Sequence, residues 1–182
     1  MVGTVLVAGA MLVAGSDVSM VTVAGVFGSP GAGRSYITYD TAAVPVGGRF
    51  SVEELAETTG DGKHRTRIEL RVQGLQPDRA YGAHVHTRPC GSRPEDSGPH
   101  YQHIKDPKPS SGDPAYANRR NEVWLDFTTD AKGEARVVSE NGWRFRKGEA
   151  RSVVLHEHPT SSKPGQAGQA GKRLACMTVP FA

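Results

Sequence analysis

The chain has 182 residues, enough for one domain whose core needs neither metal nor disulfide to form. Its formal net charge of +3, from 22 Lys+Arg against 19 Asp+Glu, is too weak and too mixed to point to a nucleic-acid partner. With 22 Gly, 12 Pro and 37% hydrophobic residues, the composition excludes long helices and helical repeats, speaks against disorder, and favours short strands joined by turns.

Residues 1–27 carry no Lys or Arg and a single acid, Asp17. Residues 2–15 form an apolar run as long as a signal-peptide core, short for a membrane span and without a positive flank. Residues 1–34 therefore read as an incomplete export leader, with a disordered tail as the alternative. SPGAGR (29–34) reads as a linker, and the folded domain is expected over 35–182, with no membrane span inside it.

Strands are predicted over 35–40, 48–57, 64–74, 80–87, 122–128, 134–139, 150–156 and 173–179. In TRIELRV (66–72), Ile68, Leu70 and Val72 alternate with charged residues, the period of a half-buried strand. The segments 122–128 and 134–139 read as a hairpin around 130–133. Eight short strands and no helix predict an all-β, antiparallel sandwich or barrel. Two long loops interrupt it, 88–121 and 157–172. The first carries Cys90, His100 and His103, and loops of that length are usually functional when they are not disordered.

GAHVH (82–86) puts His84 and His86 two residues apart on a strand, so both side chains leave the same face. Two satisfied histidines at a sheet edge would give the same pattern. His100, in GPH, and His156, closing RSVVLH, bring the set to four histidines from three segments. Neutral imidazole suits copper, zinc, iron or nickel. Taken alone, Cys90 and Cys176 fit either one disulfide or two core thiols.

Together, GAHVH, CG, GPH, RSVVLHE and AGKRLAC resemble, in order and approximate spacing, the motifs of the copper/zinc superoxide dismutases. The resemblance covers about 35–182. It implies an eight-stranded Greek-key β-barrel of the immunoglobulin-like sandwich kind. It also implies that His84, His86, His100 and His156 are copper ligands and that Cys90 and Cys176 form a disulfide. Arg173 would guide superoxide, the substrate, and His100 would also donate a proton. A disulfide in turn implies an oxidising compartment, so the protein is expected to be secreted or held at the cell surface.

The zinc half of the family pattern is missing. Arg120 and Val123 stand where a histidine and an aspartate would bind zinc. Thr160 replaces an aspartate that links the two metal sites. The chain thus resembles the copper-only members, in which a carboxylate can orient the bridging histidine in place of zinc. Glu122 and Asp126 are the candidates, Glu122 preferred, with a solvated strand-end acid as its alternative. Copper is the expected cofactor and zinc is expected to be absent. An improvised zinc site from His100, His103, Asp106 or Asp113 is the minority reading. Trp124 and Trp143 read as packing residues, His64 and His158 as surface residues. Two functions fit these residues: an extracytoplasmic, copper-dependent superoxide dismutase, or a non-catalytic copper storage or delivery protein. Arg173 favours the enzyme, because a carrier has no use for an anion guide.

Overall fold

The computed structural model describes residues 5–6, 11–13, 16–31, 33–108 and 112–182. Two antiparallel sheets face each other across one core. The first contains β1 (Val5–Leu6), β2 (Met11–Val13), β3 (Ser16–Val26), β5 (Arg49–Thr58), β6 (His64–Gln73) and β9 (Ala135–Asn141), in the order β1-β3-β5-β6-β9 with β2 also on β3. The second runs β4 (Tyr36–Thr38), β11 (Arg173–Thr178), β10 (Ser152–His156), β7 (Ala80–His86), β8 (Phe127–Thr128). Among the described residues the only helical turn is the 3-10 segment Pro94–Ser97, in the first long loop.

The chain is all-β as its composition requires, but the sheets remain two and do not close into one barrel. The expected hairpin is corrected in the same way. Its turn forms, with Gly133 N–H on Asp130 O at 2.9 Å. The flanking segments then part, β8 onto β7 and β9 onto β6, so the turn links the two sheets.

The fold also begins earlier than residue 35. β3 pairs with β5 from Asp17–Thr58 to Val26–Arg49, and Val21 and Val23 point into the core. Its lack of charge and its Gly and Ala content made it read as part of a tail, yet a strand needs only one apolar face. The stretch read as a linker, 29–34, lies in sequence between β3 and β4, and its residue 32 is outside the described residues. Of the run read as a leader, residues 1–4, 7–10 and 14–15 lie outside the described residues.

The two sheets differ in how they are buried. β5 alternates, with Phe50, Val52, Glu54 and Ala56 inside. β10 is buried at every position, as is β7 after Ala80. Tyr81, Ala83, Val85, Val153 and Leu155 fill the core between the sheets. The opposite face, which carries His84, His86 and His156, is roofed by the two long loops. A strand that is covered on both faces but polar on one has a site on the polar face.

Candidate metal centre

β7 and β10 are antiparallel neighbours with Val154 opposite His84, Gly82 opposite His156 and Ser152 opposite His86. Residues directly opposite share a face, so His84, His86 and His156 project together. Gly82 permits this packing: a Cβ there would strike His158 O and lie 2.8 Å from the Ala170 Cβ.

The fourth histidine arrives from the loop. Tyr101 N–H donates to Val85 O at 2.8 Å and Thr87 N–H to Pro99 O at 3.0 Å, which sets His100 beside His86. One ring nitrogen from each of His84, His86, His100 and His156 lies within 4.8 Å of the others. Among the described residues this is the one grouping of three or more metal-binding side chains.

Hydrogen bonds around the rings decide which nitrogens are bare. His86 Nδ1 lies 2.8 Å from Gly98 O, His156 Nδ1 3.4 Å from Gly171 O, and His100 Nδ1 3.0 Å from Glu122 Oε2. A carbonyl or carboxylate oxygen only accepts, so each Nδ1 carries the hydrogen and each Nε2 has a free lone pair. His84 is reversed: Nε2 lies 2.7 Å from Thr160 Oγ1, and Nδ1 is buried with no partner. Burial holds His84 and His86 well below the usual histidine range, and His100, followed by His156, adds to the shift. Burial likewise brings His156 down to about 3, with His100 next in effect. All three are neutral at physiological pH.

The Nε2 atoms of His86 and His156 are 3.3 Å apart. Two bare lone pairs at that distance repel unless a cation lies between them. Four imidazoles without thiolate suit a borderline ion such as copper, and the orphaned His84 Nδ1 is a ligand atom that has no other role.

Arg173 reaches the site through a bulge. The β10–β11 register passes from Leu155–Ala175 to His156–Arg173, leaving Leu174 extra. With strict alternation, Leu174 would face the histidines and Arg173 the core; the bulge exchanges them. Arg173, half-buried, donates from Nη1 to Pro94 O at 3.0 Å and to Ser97 Oγ at 2.9 Å. It lines the same cleft as His100 and His156. Cys90 and Cys176 form a disulfide spanning 86 residues. The bond pins the first loop to β11 and, in the chain-entropy account, contributes roughly 4–5 kcal/mol.

Glu122 is only 2% exposed, so it is not a solvated acid. Its Oε2 accepts from His100 Nδ1 and, at 2.8 Å, from Trp124 Nε1; its Oε1 accepts from Gln102 Nε2 at 2.8 Å. Gly168 lies over this group: a Cβ added there would stand 3.8 Å from both Glu122 Oε2 and His100 Nδ1. Asp126 sits on the far side of the cluster, bonded to Thr160. The sequence reading of Trp124 as packing missed its hydrogen bond, although period two in EVWLDF carried the signal. Val123, Leu125 and Phe127 enter the core, and Glu122, Trp124 and Asp126 face the site.

Of the residues considered for zinc, only His100 is gathered with the other copper-site histidines. His103 is exposed and stacks on Trp143 with ring centroids 5.0 Å apart. Asp106 Oδ1 accepts from Lys108 N, and Asp113 Oδ1 from Ala115 N. Val123 lies in the core, and Arg120 lends its carbonyl to Trp143 Nε1. His64 and His158 are both exposed.

Comparison with known proteins places this geometry. The family model for copper/zinc superoxide dismutase (SODC) matches residues 47–179. No curated protein sequence matches the chain. Among solved structures, it is similar to a point mutant of a SOD-like protein from Bacillus subtilis. That likeness has 16% identity, covers 82% of this chain and 99% of that one, and has a TM-score of 0.53. It is also similar to the clock protein EA4, at 23% identity over 74% of this chain and 88% of that one, TM-score 0.51. Both likenesses concern the fold.

Proposed function

The chain belongs to the copper/zinc superoxide dismutase family, and from that premise we propose that it is a copper-dependent superoxide dismutase working outside the cytoplasm. One observation carries the reading: a ring nitrogen from each of four histidines converges beside a cleft that also holds a fixed guanidinium. The metal would be held by His84 Nδ1 and by Nε2 of His86, His100 and His156. Copper bound there would supply reversible one-electron chemistry, which matches the two halves of dismutation: superoxide to oxygen, and superoxide with two protons to hydrogen peroxide.

The chain's own residues do the rest. Arg173 offers a planar, permanently charged group to a diatomic anion and raises its local concentration. His84, His86 and His156 are at most 4% exposed, whereas the His100 side chain is 19% exposed. Anion and protons therefore arrive past His100. When not holding the metal, His100 Nε2 would take a proton from solvent and hand it to the product, while Glu122 holds its Nδ1–H.

We read the site as copper-only. A bridging histidine must give both nitrogens to metals, and His100 Nδ1 is already committed to Glu122. The disulfide supports an oxidising compartment, and family membership supports a Greek-key path through the two sheets.

Loading the purified chain with both metals, followed by elemental analysis and a superoxide-removal assay, tests this. The expected result is one copper per chain, no stoichiometric zinc, and turnover. Stoichiometric copper without turnover would assign the chain to copper storage or delivery. A tightly held zinc would overturn the copper-only reading.

A further inference from the structure

We infer that Thr160 and Asp126 form a relay that sets the tautomer of His84, and so decides which of its nitrogens is offered to the metal; the inference rests on the copper reading above. Thr160 stands where the family pattern has an acid. The structure shows how a residue without charge holds that position. The second long loop lowers Thr160 onto β7 beside Asp126, which comes from the segment alongside that strand.

The direction of every bond in the relay follows from what each atom can do. The Asp126 carboxylate only accepts. Its Oδ2 takes the Thr160 backbone N–H at 2.9 Å. Its Oδ1 takes the Thr160 hydroxyl at 2.6 Å and the Ala83 N–H at 3.2 Å. A hydroxyl has one hydrogen, and here it is given to Asp126. Thr160 Oγ1 can therefore only accept from His84 Nε2, 2.7 Å away. A neutral imidazole has one N–H, so Nδ1 is bare. It is also the ring nitrogen that is buried without a partner.

The remaining neighbours fit this assignment. Arg119 Nη2 lies 3.7 Å from Asp126 Oδ2, and its guanidinium stacks over Trp124. Trp124 meets His84 edge-on at 6.1 Å and gives its own N–H to Glu122, so it does not compete for His84. His84 and His100 are thus each backed by a carboxylate from opposite sides of the cluster, one through Thr160 and one directly. His86 and His156 are backed by neutral carbonyls. The relay fixes ring orientation and places negative charge two links from the metal.

Substitution should act through the tautomer. In Asp126→Asn, the side-chain oxygen keeps the shorter bond from the Thr160 N–H, and the NH2 group falls where Oδ1 was, giving up the 3.2 Å bond from the Ala83 N–H. That NH2 donates to Thr160 Oγ1 and frees the hydroxyl hydrogen to point at His84 Nε2. His84 then carries its proton on Nδ1, which blocks the metal-facing atom. Thr160→Val removes the acceptor outright, whereas Thr160→Ser keeps it.

Two readouts test the relay. The first is the ring 15N NMR spectrum of His84 in the metal-free chain. The second is copper affinity measured by competition with a chelator. Wild type and Thr160→Ser should show a protonated Nε2 and a bare Nδ1. Asp126→Asn should move the proton to Nδ1, Thr160→Val should lose the fixed preference for Nε2–H, and both should lose about 10–100-fold in copper affinity, as is typical for partners of metal-bound histidines. Wild-type tautomer and affinity in both variants would overturn the relay, whatever their thermal stability. A wild-type chain with the assigned tautomer but no bound copper would uphold the relay and overturn the functional reading instead.

Discussion

Glu122 is the residue whose replacement separates shape from charge most cleanly. It is buried and accepts three hydrogen bonds, from His100 Nδ1, Trp124 Nε1 and Gln102 Nε2. Glu122→Leu leaves all three donors without an acceptor. Trp124 is 5% exposed and cannot turn to water, while His100 faces the cleft and can do so in part. At about 1–3 kcal/mol for each stranded buried donor, the loss should be about 3–6 kcal/mol. That is a large share of the 5–15 kcal/mol typical of a whole domain. Glu122→Gln behaves differently. Its carbonyl can occupy the Oε2 position and keep both ring donors. Its NH2 then faces Gln102, whose amide must flip and release the Asp106 N–H it holds at 2.9 Å. The cost is one hydrogen bond, about 1 kcal/mol. Urea denaturation of the metal-free variants measures both. A Glu122→Leu chain within about 1 kcal/mol of Glu122→Gln would refute the argument that this carboxylate organises the site. With copper present, Glu122→Gln should still bind about 10–100-fold more weakly, because its neutral amide leaves His100 less basic.

Arg173→Ala should keep full copper occupancy and lose about tenfold in kcat/KM at low salt, since it removes a charge beside the site but no ligand. The deficit should narrow at high ionic strength, and an unchanged rate at low salt with full copper would remove the main reason for preferring an enzyme to a carrier. His156→Ala should weaken copper binding itself, read by chelator competition; wild-type affinity would exclude His156 as a ligand. Glu54 is buried, gives Oε2 to the Ala182 N–H, and leaves Oε1 without a partner. Burial raises its pKa to about 7, from 4.5 when unfolded. The folded state then binds the extra proton between those values, so this group costs nothing below pH 4.5 and its full penalty above pH 7, about 3 kcal/mol. Wild-type stability should therefore fall across that window more steeply than that of Glu54→Gln; parallel curves in denaturation at several pH values would contradict the assignment.

Much of this protein could be read locally. Strand period fixes faces, because successive side chains alternate whatever the strand pairs with. That is why GAHVH placed His84 and His86 together, and why seven of the eight expected strands recur at nearly their expected bounds. The eighth, 122–128, kept its alternation but only two residues of regular pairing, because it follows β7 as a bridged loop before joining it. β3 was lost for the opposite reason: without charges on its outer face, its alternation was hidden among Val, Ala and Gly.

What the tertiary structure decided are the meetings between distant segments. Arg173 faces the histidines because Leu174 bulges, and a bulge depends on how two strands are held in register. Thr160 reads as a lost link between two metal sites until the loop sets it against Asp126, 34 residues earlier in sequence. Glu122 is preferred from the sequence as the acid that orients His100, with a strand-end acid as its alternative, and the first loop decides between them by delivering Gln102 and His100 to it. A side chain's face is set by its own backbone, and the sequence alone determines it. Its partner is set by loop closure and by which buried donor still lacks an acceptor, and only the assembled fold determines that.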